Sequence, residues 1–62
     1  MVKIGSRWTD SNGKFYHVID RVDIEGKTWV YYKSETVREN ENSEFSCYEE
    51  SFEARFTLYV NN

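Results

Sequence analysis

Side chains that favour β-strands dominate this chain of 62 residues and restrict the folds open to it. It has eleven aromatic residues and thirteen β-branched ones (six Val, three Ile and four Thr), against a single Ala and a single Leu as strong helix formers. A domain of this size lies near the lower limit for folding alone. Because aromatic side chains bury roughly 150–250 Å² each, rings must supply most of its core.

The cysteine and histidine content excludes the usual cross-links of small domains. Cys47 and His17 are the only residues of their kinds, so one chain forms neither a disulfide nor a zinc cluster. No apolar run approaches the roughly 18 residues of a membrane span. The sequence therefore predicts one soluble domain over residues 1–62, without metal or cofactor and without a membrane segment.

Two glycine turns predict a meander of three strands. Asn12-Gly13 lies between Arg7–Thr9 and a strand-prone segment that begins at Phe15. This pair suits a type I′ turn, because both residues tolerate positive φ. Glu25-Gly26 is a weaker turn of the same kind before a third strand at Lys27–Tyr32.

Alternation along the second strand, residues 15–24, divides its side chains between two faces. Asp20 interrupts this pattern, so we expect a bulge or bend near it. Strict alternation predicts Tyr16, Val18, Val22 and Ile24 on one face, and Phe15, His17, Ile19 and Arg21 on the other.

The last third of the chain predicts a loop, a strand, a helix and a strand. Polar and acidic residues fill positions 34–43, as in a long exposed loop, and Phe45–Cys47 is a short fourth strand. Tyr48, Phe52 and Phe56 then recur every four residues, which predicts an amphipathic helix over about Tyr48–Arg55. Residues 57–60 are strand-prone again.

A capping box is also predicted at the start of this helix. Ser46 is followed by Glu49 three residues later, the spacing at which each side chain reaches the other's backbone N–H.

This order of elements predicts a mainly β fold, a small five-stranded SH3-like barrel with one short helix before the last strand. Closing the sheet would remove the edges that an isolated meander exposes. The alternative is an open sheet packed on the helix. We rank it second because a helix of two turns offers little apolar surface to cover four or five strands.

A spaced pattern of glycines and rings runs through nearly the whole chain. It opens with Gly5-x-x-Trp8-x-Asp10-x-x-Gly13-x-x-Tyr16-x-Val18. It continues with Trp29-Val30-x-Tyr32 and then Phe45-x-Cys47-x-Glu49-Glu50-x-Phe52-x-x-Arg55-Phe56-Thr57. In this pattern the chain resembles small uncharacterised accessory proteins of enterobacterial phages and prophages. The resemblance implies an SH3-like barrel in the cytoplasm of the bacterial host, binding to a host protein, and no catalytic motif.

The residues themselves disfavour catalysis. A thiol nucleophile at Cys47 needs the imidazole of His17 within hydrogen-bond reach and a third orienting group, and nothing in the sequence places these together. Free cysteine is among the residues most often buried. We therefore expect no catalytic residues and no enzymatic activity.

Charge is unevenly distributed along the chain. Residues 34–53 contain seven acids and one base, whereas residues 1–33 contain four acids and six bases. The acidic stretch would attract a basic protein surface and repel nucleic acid. We expect Glu39, Glu41 and Glu44 at the binding site. The alternative hypothesis, a barrel that binds nucleic acid, would use Lys14, Arg21, Lys27 and Lys33.

The number of rings supplies the remaining indication. Trp29 and Tyr31 alternate with Val30 and Tyr32, and the interior of so small a domain has little room for all four. Trp and Tyr also dominate interface hot spots. We expect a host protein, or a second copy in a homodimer, to bind an aromatic patch formed by Trp8, Trp29, Tyr31 and Tyr48.

Overall fold

Residues 1–36 and 43–60 are described by a computed structural model, in which five antiparallel strands form one sheet. The strands lie in the order β4-β3-β2-β1-β5, and a seven-residue helix, α1, separates β4 from β5. Their bounds are β1 Arg7–Thr9, β2 Phe15–Ile24, β3 Lys27–Ser34, β4 Glu44–Tyr48, α1 Glu49–Arg55 and β5 Thr57–Leu58. The predicted number, order and type of elements are confirmed.

A bulge in β2 confirms the predicted irregularity and changes the faces around it. Val18 pairs with Tyr32, but Asp20 pairs with Tyr31, so the register shifts between Val18 and Asp20. One extra residue moves every later side chain of the strand to the opposite face. The prediction was therefore wrong for Val22 and Ile24, which lie with Phe15 and His17, and for Arg21, which lies with Val18.

The core lies on the face of the sheet that α1 covers, which we call the helix face; the opposite side is the outer face. The centre of the core is Phe52 of α1, which is fully buried. Its ring centroid lies 4.9 Å from that of Trp8 and 4.5 Å from that of Phe56. Burying one such ring is worth about 1.5–3 kcal/mol. The buried set is Val2, Trp8, Val18, Val30, Tyr32 and Phe52.

The N-terminal segment completes this core. Val2 is fully buried, and its backbone N–H donates to the Glu49 carboxylate at 3.2 Å. Gly5 then donates to the Val18 carbonyl at 2.8 Å, with its φ at +87° in the region that favours glycine. These contacts hold residues 1–5 against the sheet and α1, although the sequence pattern gave no sign of them.

Closure of the sheet into a barrel is not confirmed. Within residues 1–36 and 43–60, β4 and β5 are the two edges and no pairing joins them. The arrangement is that of an open sheet packed on one helix, in which a helix of seven residues covers only one face. Apolar side chains therefore remain exposed on the other face.

The two hairpins are confirmed, but the turn of the first differs from the prediction. The Asp10 carboxylate accepts from the backbone N–H of Asn12 at 2.9 Å and of Lys14 at 3.0 Å. Gly13 alone of the Asn12-Gly13 pair has positive φ, so this connection is a loop of three residues rather than a type I′ turn.

The second hairpin has the type I′ geometry. Ile24 pairs with Lys27, and Glu25 and Gly26 between them have φ values of +51° and +80°. Glu25 is the one described residue other than glycine with positive φ. A left-handed backbone costs an L-residue roughly 1–2 kcal/mol, so this turn holds an unfavourable conformation.

Helix α1 begins one residue later than predicted, and the capping box is wrong. The N-cap is Tyr48, whose backbone is extended, whereas Ser46 lies within β4 opposite Tyr31. Ser46 is thus fixed in the sheet two residues too early to cap the helix. Glu49 and Glu50 still lie in the first turn and Arg55 in the last, where they interact favourably with the helix dipole.

Glu25→Asn is expected to raise the free energy of unfolding by about 0.5–1 kcal/mol, because Asn tolerates positive φ better than Glu. The measurement is the midpoint of urea denaturation. Glu25→Gln is the matched control, since it removes the charge and keeps the unfavourable backbone, and it should resemble the wild type. Equal stabilisation in both variants would assign the gain to charge and contradict the argument.

Candidate functional site

The outer face brings three of the predicted binding residues together. Val22 pairs with Trp29, and Trp29 pairs with Tyr48, so the three side chains form one row across β2, β3 and β4. Tyr31 follows in the next row of the same face. We call these four residues, Val22, Trp29, Tyr31 and Tyr48, the outer patch.

The rings of the outer patch are held against each other and remain accessible. The centroids of Trp29 and Tyr48 are 4.2 Å apart with a tilt of 37°, and the Lys27 ammonium lies 5.0 Å from the Tyr48 ring. Tyr48 and Tyr31 keep 39% and 37% of their surface exposed. The patch therefore presents ordered aromatic surface that another molecule can cover.

Trp8 does not belong to this surface. It is a core residue with 7% exposure, packed edge-to-face on Phe52. Its indole N–H donates to the Ser6 hydroxyl at 2.8 Å, which satisfies the one polar atom of the ring. The sequence did not separate Trp8 from Trp29, since both follow the period of a strand.

Of the three glutamates predicted at the binding site, only Glu44 lies among the described residues. Glu39 and Glu41 lie outside the described residues. Glu44 lies on the outer face at the start of β4, opposite Lys33. Tyr48 lies at the other end of the same strand. Glu44 is therefore on the same face as the outer patch, in a row that also carries a base.

Other acids of the same stretch are engaged by arginines from the first half of the chain. Arg7 donates to both carboxylate oxygens of Glu35 at 2.8 Å, and its guanidinium lies 3.8 Å from the Phe15 ring centroid. The hydrogen bond from Arg7 lowers the pKa of Glu35. The uneven charge of the sequence is thus partly neutralised in the fold.

A second ion pair joins β2 to the start of α1. Arg21 Nε donates to Glu49 Oε2 at 2.8 Å, and the same carboxylate oxygen accepts the backbone N–H of Val2. The hydrogen bond from Arg21 is the main cause of a lowered pKa for Glu49, and the N–H of Val2 adds to it. Glu49 therefore connects the N-terminus, β2 and α1.

The basic residues of the alternative hypothesis do not form one strip. Arg21 lies on the helix face and is paired with Glu49, whereas Lys27 and Lys33 lie on β3, with Lys27 against Tyr48. Lys14 lies in the loop between β1 and β2. A strip of cations that could follow a phosphate backbone is absent from this set.

His17 and Cys47 lie on opposite faces of the sheet. His17 pairs with Lys33 on the outer face, whereas Cys47 pairs with Val30 and packs against the core. The sheet therefore separates the thiol from the imidazole, and the two do not form a catalytic pair. In the part of the chain that the structure describes, no cluster of His, Cys, Asp or Glu could hold a metal ion.

Sequence reasoning missed a second aromatic site, a groove on the helix face. Its walls are Tyr16, Tyr32, Phe45 and Phe56, and Asp10, Ser11 and Arg55 complete its lining. These residues come from five separate parts of the chain. Tyr16, Tyr32, Phe45 and Phe56 each occupied a position in the spaced pattern of rings, but nothing in the sequence indicated that they meet in a groove.

Comparison with protein-family models, curated proteins and solved structures finds no match to this chain. The described part of the chain has no helix that could cross a bilayer, since α1 has only seven residues.

Glu49→Gln is expected to lower the free energy of unfolding by about 1 kcal/mol at pH 7, because it removes a partly buried charge that Arg21 satisfies. The pKa of Glu49 is lowered from an ordinary value of 4.5, so its contribution is present above pH 4.5 and is lost as the pH falls through the folded pKa. The measurement is urea denaturation from pH 7 to pH 2.

Glu50→Gln is the matched control, since it removes the same charge from an exposed position one residue along the helix. It should change stability by less than about 0.5 kcal/mol. A stability difference between wild type and Glu49→Gln that stayed constant down to pH 2 would show that the ion pair is not its source.

Proposed function

We propose that this chain is a non-enzymatic binding domain that attaches to a bacterial host protein through the outer patch. The observation that carries the proposal is the aromatic row of Trp29 and Tyr48, with Tyr31 beside it, on a sheet face that α1 leaves exposed. Trp and Tyr are the residues that contribute most to protein interfaces.

The energetics of the outer patch favour a protein partner. Each Å² of apolar surface removed from water contributes about 25 cal/mol, and Ile19 and Ile24, at 40% and 43% exposure, extend the apolar area around the patch. The contact between Trp29 and Tyr48 already restricts both rings. Binding therefore orders few side chains, which lowers its entropic cost.

The charges around the outer patch indicate the character of the partner. Asp20 pairs with Tyr31 across the strands, and Glu44 lies further along the outer face. Of the seven acids between positions 34 and 53, Glu35 and Glu49 are already paired with arginines. A partner whose binding surface has an apolar centre and a basic border matches this surface. Such a border raises the rate of association more than it raises the affinity.

Membership of the phage and prophage accessory proteins, and a place in the host cytoplasm, rest on the sequence resemblance alone. An SH3-like barrel is the finer version of the fold that we propose. The strand order, with β5 beside β1 and a helix between β4 and β5, supports it. Closure would bring β4 and β5 together at the open side of the sheet.

Tyr31→Ser is expected to abolish capture of the host partner, because it removes an exposed ring from the outer patch. The experiment compares proteins retained from host lysate by immobilised wild type and variants, quantified by mass spectrometry. Tyr59→Ser is the matched control: Tyr59 has 40% exposure and packs on Phe15 near the other edge of the sheet. It should retain the partner.

The same proteins retained by all three baits would contradict the proposal. Sedimentation of wild type and Tyr31→Ser at two concentrations separates a second copy from a host partner. A dimer that only the wild type forms would assign the outer patch to self-association instead.

A further inference from the structure

The groove on the helix face is a second site, on the opposite side of the sheet from the outer patch. It has a volume of about 490 Å³, which is in the range of sites that hold small ligands or short peptide segments. Its lining combines four aromatic rings with one acid, Asp10, and one base, Arg55. A packed core does not require an acid and a base beside its rings. Each of these groups has a defined position in the structure.

The rings form walls of apolar surface that water still reaches. Tyr16 meets Phe56 edge-to-face at 5.1 Å between centroids and Phe45 at 6.3 Å, while Tyr32 stacks on Phe45 at 5.5 Å. Phe45 is 40% exposed, and Tyr16 and Phe56 are half-buried. An apolar side chain laid over them would contact the ring surface that remains exposed.

Asp10 contributes a negative charge to the lining of the groove. Its carboxylate accepts three hydrogen bonds, from the backbone of Asn12 and Lys14 and from the Tyr16 hydroxyl at 3.1 Å. Desolvation opposes ionisation, but these hydrogen bonds outweigh it and lower the pKa of Asp10. A carboxylate offers about four acceptor positions, so a position remains for a ligand cation.

Arg55 contributes a positive charge to the same lining. Its Nη2 lies 3.4 Å from the Tyr32 hydroxyl and its Nε 3.4 Å from the Ser51 carbonyl, and the guanidinium lies 5.4 Å from the Phe56 ring centroid. Both hydrogen bonds are long, and a guanidinium has five N–H donors. Arg55 also hydrogen-bonds the Cys47 sulfur, which is the main cause of its raised pKa. These contacts leave guanidinium donors for a carboxylate.

We propose that the groove binds an extended peptide segment in which an apolar side chain lies between a basic group and a carboxylate. The apolar side chain contacts Tyr16, Phe45 and Phe56, the base approaches Asp10, and the carboxylate pairs with Arg55. A ligand with one charge alone would pair with only one of Asp10 and Arg55. This site does not depend on the outer patch and takes a different segment.

The test is a titration followed by NMR of the aromatic ring signals. The probes are capped pentapeptides Arg-Gly-Leu-Gly-Glu and Glu-Gly-Leu-Gly-Arg, which differ in chain direction, and the uncharged Gln-Gly-Leu-Gly-Gln. We expect one charged peptide to shift the signals of Tyr16, Phe45 and Phe56 and to bind about five-fold more tightly than the uncharged peptide, as for a pair of exposed charge contacts.

Arg55→Gln should remove part of the preference for the charged peptide, because the contact with Asp10 remains. Lys3→Gln is the matched control, because it removes the same charge from an exposed residue outside the groove, and it should bind as the wild type does. Ring spectra of each variant verify that the fold is intact. Equal affinity for all three peptides overturns the proposal. Shifts confined to Trp29 and Tyr48 also overturn it, while leaving the outer patch as a binding surface.

Discussion

The bulge in β2 is the feature on which the rest of the structure depends. By adding one residue between Val18 and Asp20, it turns the second half of the strand over. Arg21 then lies on the helix face, where it meets Glu49, and Val22 lies on the outer face opposite Trp29. An uninterrupted strand would place Val22 on the helix face and Arg21 on the outer face, so the ion pair would be lost and Val22 would leave the outer patch.

The second constraint is the size of α1. A helix of seven residues contributes one fully buried ring, Phe52, and that ring packs between Trp8 and Phe56. The segment around Val2 fills the remaining space on the same face. No comparable element in the described part of the chain lies on the outer face, so a chain with eleven aromatic residues leaves several of them accessible. Both candidate sites are consequences of this limited cover.

Local pattern was enough to predict the strands, the hairpins and the helix, because turn glycines and residue periodicity act over a few neighbours. It also located the irregularity at Asp20. The local pattern did not predict the consequence of this irregularity. One residue more or less in a strand moves every later side chain of that strand to the opposite face. The predicted type of the first turn was wrong for a related reason: the Asp10 side chain, rather than Asn12, determines this loop.

The candidate sites were less predictable than the fold. Trp29, Tyr31 and Tyr48 were predicted together because alternation and ring excess are visible in sequence, but burial of Trp8 depends on Phe52, 44 positions away. The groove is assembled from residues between positions 10 and 56 that share no local period. Such contacts are set by tertiary packing, which overrides local preference.

The position of the first residues bears on how this protein is handled in the laboratory. The Val2 side chain is fully buried, and the α-amino group of Met1 lies 3.5 Å from the Glu53 carboxylate. An affinity tag or fluorescent fusion attached ahead of Met1 would begin beside the core and displace that amine, whereas Val60 near the other end of the described chain is 64% exposed.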